Sequence, residues 1–454
     1  MLQNLNYVRR VSEHAGSQPR SAAGIAGLAP FPPGRSLKVL LYGLNYAPEL
    51  TGIGKYSSEL CQWLAARGHS VHVVAGHPYY PTWTLSEGYD NHSYQDEVRD
   101  NVQVHHCPLY LPATPVAKGR ILSHASFALS SAPKLMATAR RVQPDVLLAV
   151  TPSFLVAPAA LAASRIFKIP SWLHVQDFEI DAAFELGMLD GSSLRRAVTG
   201  AESYLLRRFD RVSTISPRMM DRLEAKGIAR SKTVEFRNWV DTDEIRPANR
   251  RTAFRQQLGI SDQQIVALYA GSIAAKQGIE RLVETAAALQ TSAPEIVFVF
   301  CGAGALLGRL AELSAKLRNV RLLDLQPNER MREVLATADI HLIPQRPQVA
   351  DLMLPSKLAP ILASGRPAVA MADPGTQLAS EIAGAGIAVP PTDMEGLSQA
   401  ILTLAGDADL RARMGAHGRS HACTRWRKDI ILAEFESRLI ELAGTAQFRS
   451  RNNA

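Results

Sequence analysis

From Leu37 onward, short β-branched runs alternate with stretches whose apolar residues recur at helical spacing, and this alternation restricts the fold more than any other feature of the chain. A first set of strands is expected at Leu37–Tyr42, Ser70–Ala75, Val102–Cys107, Asp145–Val150, Ser171–Val175 and Arg211–Ile215, with helical stretches such as Gly54–Ala66, Gly119–Arg141 and Ser193–Phe209 between them. A second set follows Pro247–Gly259: Ile265–Ala270, Ile296–Cys301, Val320–Leu323, Ile340–Ile343, Ala368–Met371 and Ile387–Val389. Strand-helix alternation of this kind builds parallel sheets, so the expected class is α/β, with two doubly wound, Rossmann-like domains facing each other across a cleft. The expected limits are 37–240 and 241–425, with a helix at 426–442 that could pack on either domain and flexible segments at 1–36 and 443–454.

Composition narrows the function classes. The chain has 454 residues and is 46% apolar, enough for two large cores, so a disordered or disulfide-stapled protein is excluded. Four widely separated cysteines, without a C-x-x-C pair, argue against a zinc site or disulfide framework and fit a reducing, cytoplasmic compartment. The longest apolar stretch, Val146 to Ala163, contains Pro152, Ser153 and Pro158 and reads as strand, turn and helix, not as a membrane span. The net charge of +8 is unevenly spread: residues 1–36 carry +3 and 443–454 carry +2, leaving +3 on the body. From Asn101 to Gln176, Asp145 is the single acid, against Lys118, Arg120, Lys134, Arg140, Arg141, Arg165 and Lys168. Over Gly119–Arg141 these cations mix with Ile121, Leu122, Phe127, Leu129 and Leu135, a pattern that suits an anionic membrane surface or the solvated face of an ordinary helix. The local placement points to a membrane surface and away from nucleic acid.

Several loops at strand ends carry candidate chemistry. Gly52 and Gly54 follow the first strand, where glycines allow close backbone approach and a helix start can hold an anion, although a plain structural turn explains them too. The dinucleotide fingerprint fails: Ser57 occupies its third glycine, and the second strand ends Ala75-Gly76-His77 without an acid, which disfavours a nicotinamide oxidoreductase. In the second half, Gly271-Ser272 through Lys276 to Gly278 is a glycine-bounded loop with a lysine at a helix start, suited to a diphosphate, though an exposed loop lysine would look the same. Ser356 is expected to cap the next helix, with Lys357 in its first turn, where a cation hints at an anionic partner. His174, Asp177, Glu179 and Asp181 gather at another strand end, where His174 reads first as a satisfied core residue and the carboxylates also suit capping. Asp241-Thr-Asp243 has the look of a metal-binding pair, but capping accounts for it.

Taken together, Tyr46-Ala-Pro-Glu-Leu-Thr-Gly-Ile-Gly-Lys-Tyr56, Arg67-Gly-His-Ser-Val71, Ser213-Thr-Ile-Ser216, Arg237-Asn-Trp-Val-Asp-Thr242, Gly271–Gly278, Cys301-Gly-Ala-Gly304, Ala338-Asp339 and Ala363-Ser-Gly-Arg-Pro367 resemble GT-B glycosyltransferases of family 4, over essentially Leu37 to Leu442. Tyr79-Tyr-Pro-Thr-Trp83, His174–Asp181 and Leu354-Pro-Ser-Lys357 look like the colanic-acid fucosyltransferase branch of bacterial exopolysaccharide synthesis. The resemblance implies retaining transfer from a nucleoside diphosphate sugar, with GDP-fucose suggested, to a lipid-diphosphate-linked saccharide. It implies no cofactor and no metal, and a peripheral position on the inner face of the cytoplasmic membrane. It assigns Gly52, Gly54, Gly271, Ser272, Lys276, Gly302, Gly304, Ser356 and Lys357 to the donor, and Lys276, Asp177 and His174 to catalysis. It also implies that Lys276→Ala cuts transfer at least ~100-fold by removing a preorganised charge. The chain departs from the family at Ser272 and Ile273, where an arginine is usual, and at Leu352 and Pro360, where the two glutamates of an E-x7-E motif would fall. Those departures motivate an alternative: a non-catalytic binding or assembly protein of the same shape.

Overall fold

The computed structural model describes residues 36–49, 51–113, 117–187, 189–274 and 277–452. The expectations for 1–35, and every expectation resting on Lys276, lie outside the described residues.

β1 (Lys38–Gly43), β2 (Ser70–Gly76), β3 (Gln95–Arg99), β4 (Val102–Cys107), β5 (Val146–Thr151), β6 (Ser171–Val175), β7 (Arg211–Thr214) and β8 (Thr233–Glu235) form one sheet, ordered β3-β4-β2-β1-β5-β6-β7-β8. β9 (Ile265–Ala270), β10 (Ile296–Cys301), β11 (Val320–Leu323), β12 (Ile340–Ile343), β13 (Ala368–Met371) and β14 (Gly386–Val389) form a second, ordered β11-β10-β9-β12-β13-β14. All neighbours pair in parallel except β3 with β4. Parallel strands buried on both faces must be apolar runs, and Val146–Thr151 and Ile296–Cys301 are buried along their whole length. Strand order reverses between β1 and β5 and again between β9 and β12, so each sheet opens a crevice at the carboxyl ends of those strands.

The helices between the strands cover both faces. In the first domain Leu40, Tyr42 and Leu147 face one side and Val39, Leu41 and Leu148 the other. Helix starts follow capping rules: Ser216 accepts from the Met219 amide ahead of Pro217, and Asp407 from the Leu410 amide. The terminal helix begins at Lys428 and continues to Asn452, so the segment expected as a flexible tail is helical through Asn452. It packs on the first domain, where Phe435 stacks on Phe236 at 3.8 Å and meets Trp172 edge-on at 4.8 Å.

The chain crosses between the domains at two adjacent points. Val240 pairs with Arg427, its amide donating to the Trp426 carbonyl at 2.8 Å while the Lys428 amide donates to the Val240 carbonyl at 3.1 Å. Beside this crossing lies a charged clamp. Glu381 of the second domain is buried and accepts from Arg237 at 3.1 Å, His421 at 2.7 Å and Gln377 at 2.9 Å. Burial opposes its charge, but the His421 hydrogen bond and Arg237 prevail and hold the carboxyl down at about 2. Nearer the cleft, Arg218 donates to the Gly375 carbonyl at 2.8 Å, and the Phe178 amide donates to the Leu352 carbonyl at 3.0 Å. The loops after β6 and β12 therefore touch, which turns the two crevices toward each other.

Candidate functional site

On the second domain, the crevice is walled by the loops after β9, β10 and β12. The first two are pressed together: the Gly271 amide donates to the Cys301 carbonyl at 2.9 Å and the Ile273 amide to the Ala303 carbonyl at 2.8 Å. A methyl group on Gly302 would stand 1.9 Å from the Gly271 oxygen, and one on Gly304 2.3 Å from the Ile273 oxygen. The missing side chains of Gly302 and Gly304, which the resemblance assigns to the donor, thus make room for a neighbouring backbone.

Lys357 lies over this loop. Its ammonium is 3.7 Å from the centre of the Tyr269 ring and 3.1 Å from where a Gly271 side chain would begin. Tyr269 donates through its hydroxyl to the Ser272 carbonyl at 2.5 Å, so one aromatic ring fixes both the loop and the lysine. Ser356, by contrast, does not cap the helix that follows: that helix begins at Leu358, its cap position is Lys357, and no side-chain hydrogen bond closes it. The reason is local, since the Leu358 amide already bonds to the Pro355 carbonyl at 3.0 Å in a turn that leaves Ser356 exposed. Arg346, just past β12, runs along the same loop: a side chain on Gly278 would meet its Cγ at 3.3 Å, and its guanidinium lies 3.6 Å from Glu280. Two cations therefore bracket Gly271 and Gly278.

On the first domain, Gly52 adopts φ +64 and starts the helix Gly52–Ala66, a turn that favours glycine. Gly54 is tight for another reason: a side chain there would stand 2.6 Å from Glu49 Oε2. Glu49 is buried beneath the loop, accepting from the amides of Tyr79 at 3.2 Å and Tyr80 at 3.1 Å and from Asn45 at 3.0 Å. Burial pushes its carboxyl up to about 8 against those donors. Glu49 thus ties the loop after β1 to the loop after β2.

The two remaining catalytic candidates separate. Asp177 follows β6, half-buried, one residue before the Phe178–Leu352 contact, and so lies where the domains face each other. His174 does not. Its ring points into the interior of the first domain, shares a 2.9 Å hydrogen bond with Ser213 and packs against Phe236 at 4.9 Å. Burial pulls it down to about 3, which favours the satisfied core residue read first over the catalytic assignment.

The pair Asp241 and Asp243 is a turn: the Asp243 and Glu244 amides both donate to Asp241 Oδ1 at 3.0 Å. Among the described residues no group of three or more His, Cys, Asp or Glu side chains is arranged to hold a metal ion. The helix Ala117–Val142 buries Phe127, Ser131 and Leu135 and exposes Ile121, Leu122 and Leu129, the last to 78%. No helix among the described residues is long and apolar enough to cross a membrane.

Sequence reasoning missed Arg346 as a site residue and passed over Glu49 as one letter of a motif. The available signal was a cation just past the strand at the switch point, and an acid between two glycine-permitted turns.

Comparison with known proteins agrees with this architecture. The family described as Glycosyl transferase 4-like domain matches residues 51–239, and the family described as Glycosyl transferases group 1 matches residues 250–421. WcaI of Escherichia coli K12, to which colanic acid biosynthesis glycosyl transfer is ascribed, is 37% identical over 380 residues, covering 81% of this chain and 92% of WcaI. Among solved structures, the sucrose-phosphate synthase of Thermosynechococcus elongatus superposes with a TM-score of 0.72 at 16% identity, covering 90% of this chain and 100% of that one. HepE of Anabaena, solved with UDP and glucose, gives 0.66 at 16% identity, covering 89% and 99%. With both domains matched in order and one relative similar over most of its length, the chain belongs to the GT-B glycosyltransferases that join a glycosyl transferase 4-like domain to a group 1 domain.

Proposed function

We propose that this glycosyltransferase moves a sugar, with retention of its anomeric configuration, from a nucleoside diphosphate sugar to a lipid-diphosphate-linked saccharide in the synthesis of a colanic-acid-type exopolysaccharide. The observation that carries the reading is Lys357 held by Tyr269 against Gly271, at the switch point of the second sheet. Departure of the diphosphate concentrates negative charge, and fixed cations stabilise it more in the transition state than in the ground state. Lys357 and Arg346 supply such charge from the described residues, and the sequence adds Lys276. In this proposal they take the part a divalent ion plays elsewhere, and no metal or cofactor is needed. Gly52, Gly54, Gly271, Ser272, Gly302 and Gly304 shape the loops on either side, while Asp177 orients the acceptor or the transferred sugar.

The similarity to WcaI supports the pathway, and GDP-fucose is the donor we propose on the branch resemblance. The exposed Ile121, Leu122 and Leu129, flanked by Lys118, Arg120, Arg140 and Arg141, support peripheral binding to the anionic inner face of the cytoplasmic membrane.

The test is transfer by purified protein across GDP-, UDP- and dTDP-sugars, with a lipid-diphosphate saccharide acceptor and the product's anomer read by NMR. Lys357→Ala should lower turnover at least ~100-fold. Near wild-type turnover in that variant would remove the diphosphate assignment. One observation favours a second reading: Leu352 is wholly buried and Pro360 carries no acid, at the two places where the family resemblance expects glutamates. Nucleotide-dependent thermal stabilisation without transfer to any acceptor would establish that reading, a non-catalytic binding or assembly partner.

A further inference from the structure

The first domain carries, beside Asp177, a group of side chains that the diphosphate chemistry leaves unused. Trp83, in the loop after β2, has φ +60, a left-handed conformation that a bulky side chain rarely adopts. Its amide bonds to the Tyr79 carbonyl at 2.9 Å and its ring lies 5.1 Å from that of Tyr79, so the loop holds the indole in place. The guanidinium of Arg120 stands 5.7 Å from the indole centre. Glu179, two residues past Asp177, is 3.6 Å from Arg120 and 3.8 Å from His124. Burial pulls His124 down to about 4, so its imidazole is neutral at pH 7.

An indole, a guanidinium, a carboxylate and a neutral imidazole within reach of one another match a particular kind of ligand. A pyranose has an apolar C–H face that suits an aromatic ring and a rim of hydroxyls that suits charged hydrogen-bonding groups. A phosphate would welcome Arg120 but be repelled by Glu179. A hydrocarbon chain would cover this Arg120–Glu179 pair from water and offer it no hydrogen bond in return. The exposed Ile121 and Leu122 follow Arg120 directly on the same helix, which sets the group between the apolar surface and the cleft.

We propose that Trp83, Arg120 and Glu179 form a subsite for an uncharged pyranose of the acceptor, with the sugar lying on the indole and its hydroxyls bound by Glu179 and Arg120. This rests on the sugar-transfer reading above and names the chemistry of its acceptor end.

The experiment is saturation-transfer NMR on the full chain with a panel of methyl glycosides (glucoside, galactoside, fucoside, mannoside, each as both anomers), in the presence of GDP, UDP or dTDP. The wild type should transfer saturation to the ring protons of at least one glycoside. Trp83→Ala should weaken that binding about tenfold or more, and Trp83→Phe should keep it within about threefold. Glu179→Gln, which keeps the side chain's size, should also weaken it. Nucleotide signals should be the same in all four proteins, which also verifies that the variants are folded. Nucleotide binding with no glycoside signal in the wild type, or a glycoside signal undiminished in both Trp83→Ala and Glu179→Gln, overturns the subsite. Absence of binding by every nucleotide to the wild type would instead count against the sugar-transfer reading itself.

Discussion

Replacing Glu381 by glutamine tests how strongly the two domains are clamped. In the wild-type protein this buried carboxylate is held by Arg237 from the first domain and by His421 and Gln377 from the second. Its folded-state pKa is about 2, against an ordinary value of 4.5. At about 1.4 kcal/mol per unit, ionised Glu381 contributes roughly 3 kcal/mol, in line with breaking a buried ion pair from one side. Because the folded value is depressed, this contribution is complete above pH 4.5 and is lost as pH falls toward 2. Glu381→Gln has no charge to titrate, so the wild type's advantage should be roughly 3 kcal/mol at pH 7 and about half that at pH 3. Urea unfolding of both proteins at pH 7, 5, 4 and 3, followed by tryptophan fluorescence, to which the adjacent buried Trp426 contributes, measures the difference directly. Equal midpoints at pH 7 would show that the clamp contributes nothing. A difference that stays constant down to pH 3 would show that charge is not its cause.

Other substitutions probe the site's construction. Gly302→Ala places a methyl 1.9 Å from a backbone oxygen that cannot swing aside, and should cost about 1–3 kcal/mol while weakening nucleotide binding, read by melting and titration together. If both are unchanged, the loop packing is not what Gly302 serves. His174→Leu should lower stability by about 1–3 kcal/mol, since the buried Ser213 hydroxyl loses its His174 partner and keeps only the Trp172 indole, yet leave turnover within about threefold below the melting range. A collapse in turnover with an unchanged melt would restore His174 to the chemistry. Changing Ile121, Leu122 and Leu129 together to serine should reduce co-sedimentation with phosphatidylglycerol vesicles about tenfold or more, since each buried side chain contributes on the order of 1 kcal/mol. Unaltered sedimentation would place the membrane contact elsewhere.

The parallel strands were legible because burial on both faces demands unbroken apolar runs, and their limits fall within a residue or so of those expected. β3 was not, since Gln95-Asp-Glu-Val-Arg99 is a polar edge strand with one partner, and β8 spans three residues. The glycines announced tight loops, but whether each made room for a ligand or for a neighbouring loop depends on contacts across the chain. Gly302 against Gly271 and Gly54 against Glu49 are of the second kind. His174 could be read as a core residue from its place in an apolar strand, but the partners that satisfy it could not, since Ser213 and Phe236 come from distant parts of the chain. Asp241, by contrast, could be read as a cap because its partners are two and three residues away.

The terminal helix sets an order of assembly for this protein. Trp63 and Glu436, 373 positions apart, share a hydrogen bond in the first domain, and Phe435 fills the space beside Trp172 and Phe236. During synthesis the first sheet therefore emerges with one face covered by the helix Gly52–Ala66 but lacking the terminal helix, which leaves the ribosome only after the whole second domain. A nascent first domain would spend that interval with apolar surface open, a natural client for a chaperone. Lesions in the last helix should accordingly appear as misfolding of the half of the molecule made first.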